Sequence, residues 1–180
     1  TLVNAVSLRR TVRRGLGLEV CDVAAIVDRA ADRATASDTQ KSVEVIARAT
    51  RGILPVTADN QAALQALNGL DPKRLILIGS DLKDLVIARH VAAGGAVVLH
   101  MRERDKQWIV LYRDGKVVVY IRVETPAGER ISARRIKARM FTVALAFGLG
   151  LSASDLEAAV SSARPVSRPL KPSIRAAQPA

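Results

Sequence analysis

The chain of 180 residues carries 28 lysines and arginines against 17 acids, a formal charge of +11, and is 49% apolar but only 3% aromatic. Such a length suits one domain with a trailing arm, and a core built from Ala, Val, Leu and Ile is the mixture of layered α/β proteins. The lone Cys21 excludes an internal disulfide and two histidines, His90 and His100, leave no metal-ligand spacing, while apolar runs too short for a membrane span or signal peptide lead to the expectation of a cytoplasmic chain without membrane association.

In chain order, Arg9, Arg10, Arg13 and Arg14 come first, and their four-residue spacings put them on adjoining stripes of one helix face. "CDVAAIVD" (Cys21–Asp28) reads as a buried strand, "TQKSVEVIARAT" (Thr39–Thr50) as an amphipathic helix, and "RGILPVTAD" (Arg51–Asp59) as a strand with a polar tip. "NQAALQALNG" (Asn60–Gly69) follows as a helix, "KRLILIG" (Lys73–Gly79) as a strand, and "SDLKDLVIARHVAAGG" (Ser80–Gly95) as a helix capped by Ser80 and stopped by its glycine pair. Strands alternating with helices in this way predict right-handed crossovers and a mostly parallel sheet with flanking helices.

The pattern then changes. "GAVVLHM" and "QWIVLYRDGKVVVYIRV" predict three short strands over 96–123, a small antiparallel insertion whose last two strands meet at Asp114-Gly115, a type I′ pair. Two helices follow, over Ser132–Gly148 and Ser154–Ser161, the second opened by a capping box of Ser154 and Glu157. A second basic cluster, Arg130, Arg134, Arg135, Lys137 and Arg139, leads into the first of them. The domain is expected to span 1–162, and the Pro- and Arg-rich tail over 163–180 to be a disordered arm.

Four stretches in this order resemble the central, ATP-binding domain of the Mur ligase superfamily, most specifically the Mur-like part of cyanophycin synthetase: "RRGLGLEVCDVAAIV" (Arg13–Val27), "GILPVTADN" (Gly52–Asn60), "ARHVAAGG" (Ala88–Gly95) with the strands after it, and "ALAFGLGLSASDLEAAV" (Ala144–Val160). The similarity runs from about residue 5 to 165. It implies an α/β fold and, in the family, activation of a carboxylate as an acyl phosphate followed by attack of an amine. His90 with Gly94 and Gly95 is read as shaping the turn into the strands rather than as a base or ligand, since no nucleophile or carboxylate pattern accompanies it.

The provisions for that chemistry are eroded. No G-x-x-x-x-G-K-[ST] loop occurs, and the chain begins downstream of its expected place. The family's Glu-Thr-Ala-Arg-Gly-Gly motif falls on Ala5-Val6-Ser7-Leu8-Arg9-Arg10, so a methyl group stands where the metal-binding carboxylate belongs. Its Asn-x-x-x-Asp-His motif falls on Asp28 through Arg33, where Asp32 is kept and Arg33 takes the histidine position; an arginine repels a cation. Asn-Ala-Asp-Asp becomes Thr57-Ala58-Asp59-Asn60, Asn-x-Glu-Asn becomes a run with Arg135, Lys137 and Arg139, and the family's C-terminal domain has no counterpart after Val160.

The sequence thus predicts a non-catalytic, Mur-ligase-like pseudoenzyme, a structural or assembly subunit without a cofactor. It would bind an acidic protein surface or larger complex through Arg9, Arg10, Arg13, Arg14, Arg134, Arg135, Lys137 and Arg139, with Asp32, Thr57, Asp59 and Asn60 as remnants of a nucleotide site. Two alternatives stand beside it. One is half of a split ATP-dependent amide ligase, taking ATP and magnesium only when another chain completes it. The other is a nucleic-acid or ribonucleoprotein component, for which so few aromatics offer few stacking surfaces. Thr1 as an N-terminal nucleophile is set aside, because "LVNAVSLRR" lacks a strand-rich sandwich pattern.

Overall fold

A computed structural model describes residues 20–27, 36–104, 106–124 and 131–162. The first basic cluster, Asp32 and the tail over 163–180 lie outside them. The elements in order are α1 (Ala36–Ala49), β1 (Leu54–Thr57), α2 (Gln61–Ala66), a 3-10 turn (Pro72–Arg74), β2 (Leu75–Gly79), α3 (Leu85–Ala92), β3 (Ala96–Glu103), β4 (Lys106–Arg113), β5 (Lys116–Arg122), α4 (Ala133–Gly148) and α5 (Ala153–Ser162).

The strands form one five-stranded sheet in the order β1-β2-β3-β4-β5. β1, β2 and β3 run parallel, and β4 and β5 continue the sheet antiparallel. The α/β expectation holds, but the sheet is mixed and the antiparallel strands are no separate insertion. β3 is long enough to serve both partners: Ala96–Leu99 pairs with β2 on one edge, and Val97–Glu103 with β4 on the other. Periodicity reports a strand's faces and not its neighbours, so this continuity has no signature in the sequence.

Cys21–Asp28 was expected as a strand; residues 20–27 instead run beside β1 through two isolated parallel bridges, Cys21 to Thr50 and Ile26 to Val56. The cause lies across the gap. Ile26 donates to the Pro55 carbonyl at 2.9 Å and Ala24 to that of Ile53 at 3.4 Å, and the next ladder bond would need an N–H on Pro55, which proline lacks.

Alternation of side chains divides the core between two faces. On one, Ile76, Ile78, Val98, Ile109, Leu111, Val119 and Ile121 pack under α4 and α5, which supply Ile136, Met140, Phe141, Val143 and Leu156. On the other, Leu54, Val56, Leu77, Val97 and Leu99 meet Val43 and Ile46 of α1, Ala63 of α2 and Ile87 of α3. Fully burying each such aliphatic side chain contributes about 1.5–3 kcal/mol. The second layer of helices stops at β3.

Local hydrogen bonds set the helix starts. Asp84, not Ser80, caps α3, its carboxylate accepting from Val86 N at 2.8 Å and Ile87 N at 3.3 Å. The expected box of Ser154 and Glu157 is replaced by Ser152 and Asp155: Asp155 N donates to Ser152 Oγ at 3.3 Å, and Ser152 N to Asp155 Oδ2 at 3.3 Å. Either pair satisfies the same spacing rule, and the turn after Gly150 decides between them by starting the helix one residue before Ser154.

Side chains tie the edge where the parallel strands begin. Arg74 donates to the carbonyls of Gly52, at 3.4 Å, and Thr50. His90 Nε2 lies 3.3 Å from Leu75 O and 3.1 Å from Ala96 O. Both partners only accept, so Nε2 carries the hydrogen. A Cβ on Gly95 would run into the imidazole, which explains the glycine beside this histidine. His90 is therefore a brace between the starts of β2 and β3.

Candidate functional site

Thr57, Asp59 and Asn60 form the turn from β1 into α2, at the opposite edge, where ligands of parallel sheets usually bind. Thr57 ends the strand 1% exposed. Its carbonyl accepts from Asn60 N at 3.1 Å, and the Asn60 side-chain oxygen accepts from Ala63 N at 2.9 Å. Magnesium wants several oxygen ligands. The turn presents one exposed carboxylate, Asp59, beside a buried hydroxyl and an amide oxygen occupied in capping. That donor set does not fit the cation. His90 is engaged at the other edge, and His100 Nε2 lies 3.0 Å from Gln107 Oε1. Among the described residues no group of three His, Cys, Asp or Glu is placed to hold a metal ion.

Of the second basic cluster, Arg134, Arg135, Lys137 and Arg139 lie in the first half of α4, and Arg130 falls outside the described residues. Ser132 caps the helix, accepting from Arg135 N at 3.3 Å, and the first turn contains no acid. Arg134 and Arg135 are exposed; Lys137 and Arg139 are half-buried beside the inward stripe of Ile136 and Met140. Arg134, Arg135 and Arg139 make no ion pair with the described residues. Here the cations oppose the local field twice. The helix N-terminus is the positive end of the dipole, and Arg135 and Arg139 are like charges one turn apart; each effect costs a few tenths of a kcal/mol or somewhat more. The far end is packed: a Cβ on Gly148 would stand 2.9 Å from Ile53 Cβ, and the Arg113 guanidinium lies 5.6 Å from the Phe147 ring centre. The sixteen-residue helix thus anchors one end at the sheet and presents a cationic end.

A third surface was not anticipated. Beyond β3, the face of the sheet away from α4 carries Met101, Trp108, Tyr112 and Tyr120, and among the described residues no helix packs over β4 and β5 there. Trp108 and Tyr120 stack with ring centres 4.4 Å apart and planes inclined by 22°. Val110, the cross-strand partner of Tyr120, is buried between strand neighbours, whereas Tyr120 is 45% exposed. Trp108 Nε1 is buried without a hydrogen-bond partner, so packing alone holds the indole.

A one-residue bulge makes this arrangement. Tyr112 pairs with Val117 but Leu111 with Val119, leaving Val118 extra. From the Asp114-Gly115 turn, whose φ angles of 50° and 74° suit type I′, unbroken pairing would set Tyr120 opposite Ile109 on the helix-covered face. The bulge shifts it onto the face of Trp108. Residue spacing within either strand gives no hint of this.

No protein-family model matches the sequence, and no curated protein matches it. No helix among the described residues is long and apolar enough to cross a membrane.

Proposed function

We propose that this chain is a non-catalytic, Mur-ligase-like scaffold that binds an acidic surface of a partner protein through the cationic start of α4. The carrying observation is the placement of Arg134 and Arg135 in the first turn of a helix, with Arg139 one turn further along, without acidic partners among the described residues. Nothing within the described fold offsets their mutual repulsion, whereas an acidic surface would accept charge-assisted hydrogen bonds from all three. The donor set at Thr57, Asp59 and Asn60 supports the non-catalytic half of the reading.

Calorimetry tests both halves. The purified chain is titrated with Mg-ATP and, separately, with heparin as a model polyanion at two salt concentrations. Heparin is expected to bind with strong salt dependence, and Arg134→Ser, Arg135→Ser and Arg139→Ser together to weaken it without lowering the thermal midpoint. Unchanged heparin binding in the triple variant overturns the α4 assignment. Saturable, magnesium-dependent ATP binding would instead support the split-ligase alternative.

A further inference from the structure

We propose that the open face of β3, β4 and β5 binds single-stranded nucleic acid, with a base stacked on the Trp108–Tyr120 pair and the backbone phosphates on the cations that border it. This does not rest on the α4 reading, because the two surfaces lie on opposite faces of the sheet.

Three observations carry it. First, the chain's one tryptophan and both its tyrosines occupy a single sheet face, with Tyr120 45% exposed and the Trp108 and Tyr120 rings already stacked. Stacked, near-parallel aromatic rings on an open sheet offer a third ring, such as a base, a π-face of the right size. Second, two cations border the pair on its own face: Arg122 is the direct cross-strand neighbour of Trp108 and Lys106 lies two residues before it, whereas Lys116, opposite Arg113, is on the α4 side. Glu103, opposite Lys106, and Glu124, two residues after Arg122, are acids on that rim among the described residues. Phosphates spaced along a strand match such a border, while a neutral apolar ligand would leave it unused.

Third, charge argues against the other occupant of an open sheet, a second copy. β5 is the edge strand, and Lys116 and Arg122 close its two ends. Two β5 edges pairing antiparallel would bring these like charges together, in chains that each carry +11. A polyanion reverses the sign of every one of these contacts. The exposed Met101 and Val117 extend the apolar floor on which nucleotide sugars and bases would lie.

Trp108 is its own reporter, being the only tryptophan. Its fluorescence is followed while the whole chain is titrated with a labelled twenty-residue oligouridylate, whose anisotropy reports binding independently, and with heparin, which has charge but no bases. Oligouridylate is expected to quench Trp108 and heparin to leave it nearly unchanged. Tyr120→Leu keeps apolar bulk but removes the stacking partner; it should weaken oligouridylate about fivefold or more, as loss of one base stack does, and leave heparin affinity alone. Oligouridylate binding without quenching, sensitive to the α4 triple variant and not to Tyr120→Leu, overturns this inference while keeping the α4 site. No anisotropy change at low salt overturns it outright. A fluorescence shift that grows with protein concentration alone assigns the face to a second copy.

Discussion

The two halves of the sheet are covered differently. Around β1, β2 and β3, helices lie on both faces: α1, α2 and α3 on one, α4 on the other. Around β4 and β5 only α4 and α5 cover the sheet among the described residues, and the second face leaves Tyr120 exposed and Trp108 half-buried. Parallel strands joined by helical crossovers acquire two covering layers from their connections, whereas a hairpin needs only a turn and brings no helix with it. The half that requires helices to connect is thus closed by its own connections, and the half that does not is free to present a surface.

That contrast can be broken by mutation. The largest expected effect is in the two-layered half: Leu77→Ala, at a side chain 2% exposed, should cost about 2–5 kcal/mol in urea unfolding. Tyr120→Leu in the open half should cost less than about 1 kcal/mol. Equal losses at the two positions would mean that the aromatic face is core, and the distinction between the halves would collapse.

Next in size is the brace at the edge of the covered half. His90→Leu removes the side-chain donor that the carbonyls of Leu75 and Ala96 share, for a loss of about 0.5–1.5 kcal/mol. Burial holds the His90 pKa below its ordinary 6.5, against the two backbone hydrogen bonds, which raise it. The folded chain therefore resists protonation more than the unfolded one. Its stability is complete above pH 6.5 and declines as pH falls from there toward the lowered folded value. Unfolding free energies measured between pH 7.5 and 5.5 should show that decline in the native chain and a flatter profile in His90→Gln.

Smaller still, and opposite in sign, is the expected effect at α4. Replacing Arg134, Arg135 and Arg139 with Ser should leave stability unchanged or raise it by a few tenths of a kcal/mol, because repulsion and the dipole penalty are relieved. A clear loss of thermal midpoint would make these arginines structural. Smallest is Pro55→Val, which restores the missing N–H toward Ala24. The gained bond and the lost rigidity of proline nearly cancel, but the Ile26 amide should exchange more slowly with solvent.

Local features were legible in the sequence and pairings were not. The apolar runs of β1, β2 and β3, the Asp114-Gly115 turn and the cationic start of α4 follow from short windows, where propensity and spacing act directly. The caps at Asp84 and Ser152 were displaced by a few residues, because Ser80, Asp84, Ser152 and Ser154 are all competent side chains and only the path of the preceding loop selects among them. Residues 20–27 read as a full strand because the missing donor, on Pro55, lies far along the chain. The turn at Thr57–Asn60 was located correctly, but its engagement in capping depends on geometry. The aromatic face was missed most completely: a low aromatic content suggested few stacking surfaces, while a single bulged residue, Val118, gathers those aromatics onto one side.

β3 has a consequence for the order of folding. Its pairing with β4, and that of β4 with β5, close through short turns, whereas its pairing with β2 must wait for the chain through α3 to be laid down and for a larger loop to close. The antiparallel strands are the faster structure to form, and once formed they hold β3 extended, with its free edge ready for β2. The sheet is then expected to grow from its C-terminal strands back toward β1, so that mutations weakening the β4–β5 turn should slow refolding more than they speed unfolding.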